Sequence, residues 1–265
     1  MNPLKLRLGI STCPNDTYIY EALIAGIPGS PFRFDVTYAD VQTLNEKVIR
    51  GELDVAKISC GALRRLGPQY RILDCGGAVG YGCGPLLLSS SSDAFDPSLA
   101  TELPGRDTTA ALLFRHWAQG NVPSASAPVS YAFFNEVYEH LRSGKSPQGV
   151  VIHEHRFTWK RDGLRLLADL GAYWESTVHS PVPLGCAVAK TSLGESVIAE
   201  IEAEIRRSLD IARGRETPVT PFIRDKAQIS DDSVIEAHIR MFVTDFSFSM
   251  GEAGKRALSR LRDLF

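Results

Sequence analysis

Apolar and polar residues alternate strictly over Leu4–Ile10, with Leu4, Leu6, Leu8 and Ile10 on one side. A period of two predicts a β-strand with one buried face. Ser11–Asp16 follows as a cluster of turn and cap residues, and Tyr18–Ala25 reads as a helix. Alternation returns at Phe32, Phe34, Val36 and Tyr38, predicting a second strand. The spacing then changes: apolar positions 41, 44, 48 and 49 mark one face of a helix over Val41–Gly51, closed by its glycine. Asp54–Ser59 is a short strand, Cys60–Leu66 a helical segment stopped at Gly67-Pro68, and Arg71–Cys75 and Pro85–Ser90 two strands joined by a glycine-rich link. This β-α-β-α-β-α-β order predicts an α/β architecture with largely parallel strands.

The serine run 89–92 is the clearest break, a crossover between two lobes. Beyond it the pattern predicts a helix over Asp107–Gln119, a strand at Val129–Ala132, a helix over Asn135–Ser143 and a buried strand Gly149–His153. Gly163–Gly171 reads as a helix, and the wholly apolar Leu184–Ala189 as a strand returning to the first lobe. Three helices close the chain: Glu195–Arg213, Asp231–Phe242 and Gly251–Leu264. No internal repeat is present.

Composition narrows the class. At 44% hydrophobic and 23% charged, the 265 residues match an ordinary globular protein with no need of a disulfide or metal staple. A formal charge of −2, spread evenly, argues against a nucleic-acid partner. The longest apolar run, near Gly84–Leu88, is far too short to span a bilayer, and Met1–Arg7 lacks the features of a signal peptide. The five cysteines, at 13, 60, 75, 83 and 186, are odd in number and form no C-x-x-C pair, which predicts reduced thiols and a cytoplasmic location.

Gly76–Pro85 does not fit a nucleotide loop: there is no G-x-G-x-x-G, no Walker lysine, and Pro85 follows where a helix should start. Its glycines predict tight packing or close approach to a ligand. Ser11-Thr12, Lys57-Ile58-Ser59 and Asp107-Thr108-Thr109 each set hydroxyls and unpaired amides at a strand end or helix start, where anions bind. Such residues are also ordinary caps, but three sets in one α/β chain favour a carboxylate-bearing ligand. His153, at the end of an apolar strand, is a candidate base or simply a satisfied histidine. His153 and His155 lack H-E-x-x-H spacing, so no metal is predicted. His116, His140, His179 and His238 show no ligand spacing and are expected on surfaces. Asn15-Asp16-Thr17 matches a glycosylation sequon without meaning in a cytoplasmic protein.

In combination these segments become specific. Ser11–Thr17, Asp40–Glu46, Leu53–Ser59, Gly80–Leu86, Gly105–Ala110, Val151–Thr158 and Pro181–Gly185, in that order, closely resemble the 1,4-dihydroxy-6-naphthoate synthase family of the futalosine route to menaquinone, over about residues 4–190. The resemblance implies a two-lobed periplasmic-binding-protein-like (type II) fold with a ligand cleft between the lobes: residues 1–90 and 187–265 form the first, and 91–186 an inserted second. It implies a lyase that cleaves cyclic dehypoxanthinyl futalosine to 1,4-dihydroxy-6-naphthoate and dihydroxyacetone without a cofactor. It marks His153 as the catalytic base, and Lys57, Ile58, Ser59, Thr108 and Thr109 as substrate contacts. His155 stands where the family often has a small residue. The alternatives are chorismate dehydratase of the same pathway and a non-catalytic protein binding a small carboxylate.

Overall fold

A computed structural model of the chain describes residues 3–122 and 127–265; the reading of Met1 and Asn2 lies outside them. The alternating segments form β1 (Leu4–Ile10) and β2 (Phe32–Tyr38), paired in parallel along their whole length with α1 (Pro14–Ala25) between them. Helix α1 begins earlier than its apolar pattern because Cys13-Pro14 starts it: proline at the first helical position has no amide to leave unpaired. Asp40 caps α2 (Val41–Ile49) by accepting from the amides of Gln42 and Thr43. β3 (Val55–Ser59) lies parallel to β1 and runs into a 3₁₀ turn, Cys60–Arg65. Two short strands, β4 (Tyr70–Ile72) and β5 (Ala78–Gly80), complete the first pass, β5 inside the expected glycine link.

The chain then builds a second sheet from β6 (Leu86–Ser89), β7 (Thr101–Leu103), β8 (Val129–Tyr131), β9 (Gln148–Val151) and β10 (Arg165–Asp169). Helices α3 (Thr109–Asn121), α4 (Phe134–Arg142), the single turn α5 (His155–Thr158) and α6 (Leu170–Val178) belong to this lobe. β11 (Val182–Lys190) returns to the first sheet, whose order becomes β2-β1-β3-β11-β4 with β5 beside β11. The second sheet has the order β10-β6-β9-β7-β8. After β11 come α7 (Glu195–Arg213), α8 (Pro221–Lys226), α9 (Asp232–Phe242), the short α10 (Asp245–Phe248) and α11 (Gly251–Arg262).

Three expectations change. The sheets are mixed rather than largely parallel: in the first, β11 comes back from the other lobe and pairs antiparallel with β3, β4 and β5, and in the second, β6 pairs antiparallel with β9 and β10. Gly163–Gly171 is strand β10 leading into α6, not a helix; a short apolar run has no period that separates the two. By sheet membership, the crossovers fall between Gly80 and Leu86 and between Asp169 and Val182, so the serine run at 89–92 follows a strand already in the second sheet.

The glycines meet their close-packing expectation at Gly84: a Cβ there would lie 2.2 Å from the Cα of Gly171, so the segment leading into β6 and the start of α6 approach only because both residues lack one. A core of Leu44, Ile58, Leu87, Phe114, Val150 and Trp174 is continuous from the first sheet into the second. Another packs α1, α7, α8 and α9 against the opposite face of the first sheet. Among the described residues no helix is long and apolar enough to cross a membrane.

Candidate active site

The ends of β1 and β3, the start of α3 and the segment after β9 converge on one cavity. Lys57, Ile58, Ser59, Thr108, Thr109 and His153 all stand on its wall. They come from β3 of the first lobe and from α3 and the segment after β9 of the second, so the cavity is the cleft between the lobes.

The hydroxyls here are engaged with the protein. Thr108 is the N-cap of α3: its Oγ1 accepts from the Ala111 amide and donates to the Gly105 carbonyl. The Thr109 amide donates to Ser59 Oγ at 2.7 Å. Thr109 Oγ1 accepts from the Gly61 amide and donates to the Leu184 carbonyl at 2.8 Å. Ser59 and Thr109 thus stitch β3 and β11 of one lobe to α3 of the other. Ala110, in the same helical turn, also lines the cavity.

Lys57 is not a free cation. Its Nζ donates to Asp16 Oδ1 at 2.8 Å, and both side chains are only 6% exposed. Asp16 also accepts from Ser11 Oγ and from Asn15 Nδ2. Asn15 Oδ1 in turn accepts from His238 Nε2 at 2.9 Å. The sequon residues Asn15 and Asp16 are therefore buried network members, and His238, expected on a surface, is 0% exposed. It shares an apolar face of α9 with Ile235, Ile239 and Phe242, and that spacing was the signal for its burial.

His153 does not end the strand. β9 stops at Val151, and His153 adopts φ 57°, the left-handed region that a non-glycine residue enters only when held there. Its Nδ1 lies 3.4 Å from Cys13 Sγ, and its ring meets Phe134 edge-on with centroids 4.8 Å apart. Among the described residues Nε2 has no protein partner. Burial holds the imidazole near pKa 4, so it is neutral at pH 7 and has a lone pair to offer; the charge of Asp16 opposes that shift. Burial pushes the Cys13 thiol well up, with Glu154 and Asp16 adding to it. Burial also raises the Glu154 carboxyl and lowers His238 well below its ordinary value. His155 leaves this cluster: the chain turns into α5, and its ring stacks on Tyr138 with centroids 3.8 Å apart.

Arg156 is a cavity residue that the sequence reading passed over. Its guanidinium donates to the Gly84 carbonyl at 2.6 Å and to Asp169 at 2.8 Å, fixing α5 against the start of α6. Only Glu154 and His155 separate Arg156 from His153 in sequence, and nothing in that spacing aims it at the cleft.

Two mixed sheets around a shared cleft define a two-lobed, periplasmic-binding-protein-like fold. The chain superposes on a periplasmic aliphatic sulphonate binding protein of Escherichia coli at TM-score 0.65 and 10% identity, covering all of this chain and 87% of that one. It superposes on a crystal structure of an Archaeoglobus fulgidus protein at TM-score 0.89 and 26% identity, covering 98% and 96%. A family model described as menaquinone biosynthesis matches residues 6–265. Two curated relatives, both named 1,4-dihydroxy-6-naphthoate synthase, are 39% identical: one from Streptomyces coelicolor (97% of this chain, 91% of that) and one from Thermus thermophilus (97% and 92%). The chain belongs to the menaquinone biosynthesis family, with the 1,4-dihydroxy-6-naphthoate synthases, and is an enzyme of the lyase class.

Proposed function

We propose that the enzyme cleaves cyclic dehypoxanthinyl futalosine to 1,4-dihydroxy-6-naphthoate and dihydroxyacetone, with His153 as general base. One observation carries the base assignment: a neutral imidazole on the cleft wall, held in a left-handed backbone with Nδ1 against Cys13 and Nε2 unpartnered. Nε2 takes the proton of a substrate hydroxyl. The resulting alkoxide forms a carbonyl as the adjacent carbon–carbon bond breaks. The bonding pair passes to the ring ketone, and aromatisation of the naphthol drives the step. The ketone is the electron sink, so the reaction balances without a cofactor.

Lys57, Ile58, Ser59, Thr108 and Thr109 form the substrate wall. Their side-chain donors are engaged internally, so their part is to hold the first turn of α3 in place; its amide and positive dipole end receive the carboxylate. The partner is thus a small-molecule carboxylate, with no nucleic acid or membrane involved, and the five free cysteines fit a reducing cytoplasm.

The test is direct. Purified enzyme incubated with cyclic dehypoxanthinyl futalosine should yield 1,4-dihydroxy-6-naphthoate by mass spectrometry, and His153→Ala should lose about 10²–10⁴-fold in rate while keeping its circular dichroism spectrum. A folded His153→Ala with wild-type turnover removes the base assignment, and wild type that dehydrates chorismate instead removes the substrate.

A further inference from the structure

We infer that Cys13, His153 and Glu154 form a binding site for a thiophilic divalent cation such as Zn²⁺, and that its occupancy switches the enzyme off. A thiol sulfur, an imidazole nitrogen and a carboxylate oxygen from these residues lie within 4.8 Å of one another. The Cys13 Sγ to His153 Nδ1 distance is 3.4 Å. Sulfur and nitrogen ligands on a tetrahedral zinc, with bonds of about 2.3 and 2.0–2.1 Å, sit roughly 3.5 Å apart. The pair is therefore already spaced for a shared ion.

The second observation is independent of that distance. Glu154 is 2% exposed, yet its Oε2 has no hydrogen-bond partner. A buried carboxylate oxygen left unsatisfied costs free energy that a cation would recover. Behind it stands a second unsatisfied atom, His238 Nδ1, 3.8 Å from Glu154 Oε2. Three protein ligands leave a fourth position for water.

The inhibitory part rests on the proposed role of His153. A cation on Nδ1 takes that lone pair and leaves the ring proton on Nε2. The nitrogen facing the substrate then has no lone pair with which to accept a proton. Binding also displaces the thiol proton of Cys13, since the thiolate is the ligand.

The experiment uses the full chain stripped with a chelator and read without substrate. Co²⁺ serves as the probe, because a cobalt–thiolate bond adds a near-ultraviolet charge-transfer band. We expect one Co²⁺ per chain, displaced by Zn²⁺. Cys13→Ser should abolish the band, and Glu154→Gln should weaken Zn²⁺ binding by about tenfold or more. Zn²⁺ should inhibit wild-type turnover with the midpoint seen in binding. A missing band, or one that survives in Cys13→Ser because another thiol holds the metal, overturns the site. Zn²⁺ bound here with turnover unchanged overturns the switch. If Cys13→Ser does not fold, unaltered affinity in Glu154→Gln overturns the site instead. The cobalt spectrum needs no catalysis, so its failure is separate from failure of the base assignment, which only His153→Ala reports.

Discussion

At the scale of single residues, His155 has a consequence for stability. Both its ring nitrogens are buried without a hydrogen-bond partner. Burial lowers its pKa from 6.5 to about 4, so the fold favours the neutral ring. A base with a depressed pKa contributes in full above its unfolded value and loses that contribution as pH falls through the folded one. The window here runs from about 6.5 down to 4, and the loss is of order 3 kcal/mol. His155→Leu keeps the stack on Tyr138 apolar and should reduce the pH dependence of the urea midpoint across that window, leaving the share set by the buried His153 and His238. An unchanged slope would show that other groups set it. That Lys57, Ser59, Thr108 and Thr109 stand at a strand end and a helix start was legible in the sequence; that His153 lies beyond its strand, in a left-handed backbone, was not. His238 was not: a histidine's partner, here Asn15 at a sequence separation of 223, is invisible until the chain is folded.

At the scale of elements, the cleft depends on how closely the 3₁₀ turn after β3 approaches the start of α3. A Cβ on Gly61 would lie 2.5 Å from the backbone carbonyl of Thr108, and the Gly61 amide donates to Thr109. Gly61→Ala must push α3 away from β3. We expect it to destabilise the fold by about 1–3 kcal/mol and, if the proposed substrate contacts hold, to raise KM more than it lowers kcat, since it moves the cavity wall around Thr108 and Thr109 rather than His153. A variant with wild-type KM would show that the wall tolerates the shift. The long periodic elements β1, β2 and α7 were readable from pattern. The three-residue strands β5 and β7 were not, because a period of two needs more positions than they have.

At the scale of the whole molecule, one of the apolar cores spans both lobes. Leu44, Val48 and Ile58 of the first pack in the same cluster as Leu87, Phe114 and Trp174 of the second. Each lobe also has an apolar cluster of its own, but this one is buried only when the two lobes are together. Differential scanning calorimetry should therefore show one transition with matching calorimetric and van't Hoff enthalpies. Two resolved transitions would mean that the lobes unfold independently. By itself, the sequence determined which segments become strands and helices wherever the apolar period was long enough, and it named the residue types of the cleft, because both depend on neighbours along the chain. Only the tertiary structure decided that β11 enters antiparallel, that Lys57 is neutralised by Asp16, and that Cys13, His153 and Glu154 meet. Those facts rest on contacts between residues far apart in the chain, where neither period nor spacing carries information.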